Sequence, residues 1–311
     1  MSAPLDFLRL FAGKLRGAGI RYAITSGMAC VHYGLQQTTK DSDWIINPDD
    51  LNRLHAFFCS LDQAMPPWRI SYRPVFGAPL DIRFMAHGWT SHLLIREPDG
   101  TEHKVDLFGK APRVAVMETE PGDSDYASRH VVALMKRTDR DRDWPIVFGC
   151  GVQMIQRRDM RGVLHLQEAD WLRRAWAGVP TEQRHELQRL RPLLRHMELP
   201  TGRLRRLLVV ERALWEAANR TRYRPFEQAW KDFSRKWRSE TGTVWPPVVA
   251  FAEQHQFLVE ACLRLRLPFD PLAETPRLRR LAIAQADAAE AVAATAQELE
   301  QVTPPLDVLY P

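Results

Sequence analysis

One stretch constrains the fold of this chain more than any other: YAITSGMACVHYGLQQTTKDSDWII, residues 22–46. A β-like run ends in Ser26-Gly27, a short apolar segment bounded by glycines follows, and a second strand-like run, SDWIIN, begins beside Asp41 and Asp43. The expected order is strand, short helix, strand. Side chains two apart on a strand point to the same face, so Asp41 and Asp43 are expected to present two carboxylates together. Such a pair repels, and each member raises the cost of ionising the other. A divalent cation removes that conflict, because hard oxygen ligands suit it.

The flanking sequence extends the pattern. Leu5, Leu8, Phe11, Ala12 and Leu15 recur at helical spacing, closed by Gly17 and Gly19. Pro48-Asp49-Asp50 opens a helix running through Leu61. Four strand-like runs follow: WRISYRPV, PLDIRFMA, SHLLIRE and HKVDLFG, the last two joined by the turn signal PDGT and so expected as a hairpin. After about Tyr126 strand signals give way to helical ones, over DYASRHVVALMKR, DWPIVFGCGVQMIQRR and stretches inside 165–177, 182–197, 203–220, 225–238, 246–265 and 275–301. The expectation is an α+β chain: a mixed sheet with flanking helices over 1–125, then an all-helical domain over 126–311, with the break in TEPGDS.

Asp106 lies between Val105 and Leu107 in a strand otherwise suited to a core, and an acid there needs a reason. It is the candidate third carboxylate, with Asp81 as rival; three carboxylates would let two ions clamp an in-line phosphoryl displacement. Ser26-Gly27 stands where a strand gives way to a helix, and a glycine there admits a phosphate close to the backbone. Each feature alone is weak. A lone Asp-x-Asp is common by chance, Ser-Gly is more often a plain turn, and Asp106 could be an ordinary edge-strand residue. His32 reads as packing, and His87, His92 and His103 have no metal-ligand spacing.

Taken in order, Ser26, Gly27, Ala29, Gly34, Thr39, Asp41 and Asp43 resemble the motif of nucleotidyltransferases with the DNA polymerase β-like fold, nearest the minimal bacterial branch that includes AbiEii-type toxins. The sequence departs from that motif at Ser26, where glycine is common, and at Gln37, where arginine is common. Downstream, LMKRTDRDRDW resembles the family's helix-borne lysine and following acid, which would make Lys136 a nucleotide-phosphate contact and Asp143 or Asp141 a structural or site acid. The resemblance covers residues 20–150. It implies a nucleotidyltransferase-like fold and transfer of a nucleoside monophosphate from a nucleoside triphosphate such as ATP to an acceptor hydroxyl. It further implies a two-ion Mg²⁺ site (Mn²⁺ as substitute) on Asp41, Asp43 and Asp106, with nucleotide binding by Ser26, Gly27 and Lys136.

Charge suggests an acceptor. The chain carries a formal net charge of +5 over 311 residues, yet Thr181–Arg238 alone carries a surplus of eight basic residues. Basic faces on apolar helices can be plain solvated surface, but a surplus this concentrated suggests an anionic partner, with tRNA or another RNA as the natural candidate. A neutralising antitoxin or other protein partner follows from the toxin-like resemblance. Cys30, Cys59, Cys150 and Cys262 form no Cys-x-x-Cys pair, which fits a reducing cytoplasm. The N-terminus does not read as a signal peptide, and no apolar run approaches a membrane span. Two alternatives stand beside RNA modification. One is a small-molecule nucleotidyltransferase of the antibiotic-modifying kind, which the basic helical half disfavours. The other is a non-catalytic nucleic-acid-binding or partner module on the same fold, favoured by Gln37.

Overall fold

The structure, a computed structural model, describes residues 3–242, 249–289 and 292–311. In chain order its main elements are α1 (Ala3–Gly17), β1 (Tyr22–Thr25), α2 (Ser26–His32), β2 (Ser42–Ile46), α3 (Leu51–Asp62), β3 (Arg69–Tyr72), α4 (Ile82–Met85), β4 (Thr90–Arg96), β5 (Glu102–Phe108), β6 (Thr119–Glu120) and β7 (Asp123–Ala127). Helices follow: α5 (Arg129–Met135), α6 (Trp144–Gln156), α7 (Ala169–Ala177), α8 (Thr181–Leu190), α9 (Thr201–Thr241), α10 (Phe251–Arg264), α11 (Thr275–Asp287), α12 (Ala296–Val302) and α13 (Leu306–Leu309). The expected α+β class holds. Of the expected helical stretches, residues 246–248 and 290–291 lie outside the described residues.

The chain divides into two compact units, one of residues 1–127 with 225–271, the other of 128–224 with 272–311. The expected division gave everything after 125 to the helical domain. Residues 225–271 instead pack with the sheet, and α9 contributes to both units, with the division at Pro225 inside the helix. A proline there lacks the N–H that would reach back one turn, so the helix ladder is interrupted where the units divide.

In the first unit, seven strands form one mixed sheet in the order β3-β4-β5-β2-β1-β7-β6. β1 and β2 run antiparallel, β2 and β5 parallel, and β4 pairs antiparallel with both β3 and β5. The PDGT hairpin forms as expected, with Arg96 opposite Glu102. The sheet's alternation explains the acid in β5. Val105 and Leu107 are fully buried, while Asp106 between them points to the opposite face and is only partly covered. Trp44 shares the core face and meets Phe11 of α1 edge-on, with ring centres 5.1 Å apart, and Phe11 stacks on Phe58 of α3 at 6.2 Å. Burying these aromatic rings together adds to the apolar stabilisation of this face.

Two local expectations are corrected. PLDIRFMA is not a strand. Asp81 accepts a hydrogen bond from the backbone N–H of Arg83 at 2.9 Å and starts the one-turn helix α4. An N-capping carboxylate satisfies amides that a strand would have sent to a neighbour, so local capping overrides the apolar run. TEPGDS forms the turn between β6 and β7, with Gly122 at φ +83, and the change of unit comes just after it, between Ala127 and Ser128. DYASRHVVALMKR is accordingly split between β7 and α5.

The second unit is helical among its described residues. Arg191, 3% exposed, bonds Glu211 at 2.6 Å and also donates to the carbonyls of Val163 and Leu166. His165, fully buried, lies 2.9 Å from the His130 ring nitrogen, and burial first, then neighbouring Arg137, holds its pKa well below the usual histidine range.

Candidate functional site

The site is built on a single row of residues across the sheet. Thr25 of β1 is opposite Asp43 of β2, Asp43 is opposite Asp106 of β5, and Asp106 is opposite His92 of β4. Directly opposite residues in adjacent strands share a face and stand close enough to interact. Asp43 and Asp106 are therefore brought together from positions far apart in sequence. Asp41 lies in the bend just before β2 rather than within it, two residues from Asp43. Its Oδ1 is buried and accepts no hydrogen bond among the described residues.

Asp106 has company the sequence reading did not foresee. Its Oδ1 lies 2.9 Å from Arg73 Nη1 and 2.7 Å from His92 Nδ1, with 19% of each donor side chain and 16% of the Asp106 side chain exposed. Arg73 immediately follows β3, and its backbone N–H donates to the His92 carbonyl at 2.9 Å. Gly77, in the same connection, fits against β4 because it has no side chain: a Cβ there would come within 2.6 Å of the Thr90 carbonyl and 2.8 Å of the His92 ring. Arg73 is thus held near Asp106 by both its backbone and the loop that follows it.

The strand–helix junction is strained. Ser26 has φ +50, a region that non-glycine residues rarely enter. That accounts physically for glycine being the easier residue at this position. A left-handed residue followed by a helical one is also the backbone pattern of an anion-binding concavity. Gly27 has a packing reason of its own: a Cβ there would meet the Thr39 side chain, whose own Cβ would be 2.9 Å away.

Lys136 is not a solvated helix lysine. It caps α5 at 7% exposure, with Nζ 3.5 Å from Asp143 Oδ1. Asp143, 2% exposed, also accepts from Thr138 Oγ1 at 2.6 Å and Arg140 Nε at 2.8 Å. These residues therefore form a buried polar knot in the second unit. Asp141 is almost fully exposed and pairs with Arg212. Asp81, the rival third carboxylate, is used up by its cap and by Arg83. His32 stacks on Tyr126, with ring centres 3.8 Å apart, and lies 3.0 Å from Asp123.

Mg²⁺ fits part of this donor set. The buried, unpartnered Oδ1 of Asp41 is a costly anionic oxygen that a cation would offset, and Asp43 stands two residues away. Asp106 fits poorly, because a guanidinium and an imidazole already occupy one of its oxygens. Among the described residues, no group of three or more His, Cys, Asp or Glu side chains is placed to hold a metal ion.

Arg73 and His92 were missed because nothing in their local sequence marks them. A signal existed for His92: once the PDG turn sets Arg96 opposite Glu102, counting back along the hairpin puts His92 opposite Asp106. Arg73 had none, since its approach depends on a third strand. The fold and site define an α+β protein with a carboxylate row on one face of a mixed sheet. Comparison of the chain with family models, with curated proteins and with solved structures finds no match.

Proposed function

We propose that the sheet unit catalyses metal-dependent nucleotidyl transfer, in which an acceptor hydroxyl attacks the α-phosphate of a nucleoside triphosphate and pyrophosphate leaves. The observation that carries this reading is the pairing of Asp43 with Asp106 on adjacent parallel strands, beside an Asp41 oxygen that is buried without a partner. Asp41 and Asp43 are the residues that hold Mg²⁺ or Mn²⁺, and the ion, when bound, withdraws charge from the phosphates. Ser26 and Gly27 offer backbone N–H groups to the phosphates, which the left-handed turn at Ser26 supports. The acceptor is RNA, tRNA among the candidates, bound by the arginine-rich unit, on the ground of its concentrated positive charge. A cytoplasmic, toxin-like role with a neutralising protein partner belongs to the same proposal and rests only on the sequence resemblance.

A second reading is a nucleic-acid-binding or partner module without catalysis. Two observations favour it: Arg73 already neutralises Asp106, and Gln37 provides no positive charge. One experiment separates the two. The protein is incubated with each labelled nucleoside triphosphate, Mg²⁺ and total cellular RNA, alongside Asp43→Asn. Label transferred to an RNA by the wild type and not by the variant supports catalysis. No transfer, together with no metal-dependent thermal stabilisation by any nucleoside triphosphate, leaves the binding module.

A further inference from the structure

A two-ion site would need Asp106 open to a cation, and its surroundings point elsewhere. Arg73 Nη1 sits 2.9 Å from Asp106 Oδ1, so a second cation on that carboxylate would approach a fixed positive charge at contact distance. The His92 ring donates from Nδ1 to the same carboxylate oxygen at 2.7 Å. The guanidinium has five N–H donors, and among the described residues one of them reaches Asp106, leaving most of the fork for another ligand. A planar guanidinium matches phosphate oxygens in pairs, and it keeps its charge at any working pH. Its backbone anchor to β4 and the close fit of Gly77 limit how far it can stray from the carboxylate row.

We infer that this site takes one cation, on Asp41 and Asp43, and that Arg73, steadied by Asp106 and His92, supplies the second positive charge to the triphosphate. The inference rests on the nucleotidyl-transfer reading and assigns its phosphate-recognition residue. It makes Asp106 a positioning residue acting through Arg73 rather than a metal ligand. It also supplies a source for the charge that Gln37 lacks: an arginine brought in from another strand rather than from the Asp-x-Asp segment.

The test uses the full-length protein, Mn²⁺ as a spectroscopically visible ion, and α,β-methylene nucleoside triphosphates, which bind but cannot transfer. The wild type is expected to bind one Mn²⁺ per chain in the presence of analogue, counted by electron paramagnetic resonance. Arg73→Ala is expected to weaken the analogue at least tenfold without changing that count. Arg73→Lys keeps a point charge and loses the fork, so it should fall between the two. Asp106→Asn is expected to keep the count at one and to weaken the analogue by a smaller factor than Arg73→Ala. Arg83→Ala, whose guanidinium pairs with Asp81, serves as the control and should match the wild type. Thermal melts of each variant identify any that has simply lost its fold, and Arg73→Lys remains the informative variant if Arg73→Ala is one of them. Two Mn²⁺ per chain in the wild type, falling to one in Asp106→Asn, overturns the inference and restores Asp106 as a ligand. Analogue affinity unchanged in both Arg73 variants overturns it as well. Failure of the wild type to bind the α,β-methylene analogue of any nucleoside triphosphate is a different outcome, which sinks the nucleotidyl-transfer reading itself and the phosphate role of Arg73 with it.

Discussion

At the scale of single residues, one strained backbone position and two carboxylates with different jobs decide most. Ser26 holds φ +50 at the start of α2. A β-branched side chain in that conformation crowds the backbone, so Ser26→Val should cost about 1–2 kcal/mol of stability. Ser26→Gly relieves strain but frees the unfolded chain, and the two effects should nearly cancel, to within about 1 kcal/mol. Chemical denaturation of both variants checks this, and equal losses would mean that Ser26 is not held left-handed. The carboxylates separate in the same way. Asp43→Asn removes a charge beside Asp106 and Asp41, so it should abolish transfer while leaving the melting temperature unchanged or slightly higher without metal. Asp81→Asn keeps a cap and should change neither. Asp81→Ala loses the cap to Arg83 and should cost about 1 kcal/mol without affecting transfer. A transfer defect in Asp81→Ala would place that carboxylate in the site after all.

At the scale of elements, the docking of α10 against α3 and β3 carries a pH-dependent contact. His255 of α10 lies 2.7 Å from the Tyr72 hydroxyl, its ring centre 4.2 Å from that of His55. Burial first, and then His55, pushes the His255 pKa down to about 4, with Asp81 opposing weakly. A histidine depressed in the fold takes up its proton more readily when unfolded. Its stabilising contribution is therefore complete above the unfolded value near 6.5 and is lost as pH falls from there toward 4. The loss should be no more than about 3 kcal/mol. Urea titrations from pH 7 to pH 4 should show a shallower decline in His255→Gln than in the wild type, and parallel declines would remove His255 as the cause. In the second unit, the buried Arg191–Glu211 pair ties α9 to the connection after α8. Arg191→Met strands a buried carboxylate and two carbonyls, and should cost about 3–5 kcal/mol. Adding Glu211→Leu should recover part of that, because the carbonyls of Val163 and Leu166 still lack a donor. No recovery in the double variant would show that the carbonyls, not the carboxylate, dominate.

At the scale of the whole molecule, the basic surplus proves to be two populations. Arg206 bonds Glu298 through two nitrogens at 3.0 Å and also donates to the Ala293 carbonyl, so it holds the second unit's own chain together. Arg195 is exposed, and Arg203 is 57% exposed and only loosely near Glu298 at 3.8 Å. Reversing Arg195 and Arg203 to glutamate should weaken RNA binding and flatten its salt dependence, since fewer counterions are released, with little change in melting temperature. Arg206→Glu should lower the melting temperature instead. RNA affinity unchanged by the Arg195/Arg203 reversal, at low and high salt alike, would remove the argument for a polynucleotide acceptor.

The sequence by itself determined what depends on neighbours along the chain. The strand–helix–strand order around Asp41 and Asp43, the PDGT hairpin and the alternation that turns Asp106 away from Val105 and Leu107 are all set by short-range periodicity and turn chemistry. So was the α+β class, which needs only the order of strand and helix signals. Tertiary structure decided what depends on distant segments meeting. The parallel pairing of β2 with β5 brings Asp43 to Asp106, the approach of β3 delivers Arg73, and the cap at Asp81 turns an apolar run into a helix turn. Burial decided the rest, making Lys136 the partner of Asp143 and giving Arg206 to Glu298. A guanidinium or ammonium group in a sequence is a charge without an address. Which carboxylate, carbonyl or phosphate it serves is fixed by the nearest desolvated oxygen, and only the folded chain places that oxygen.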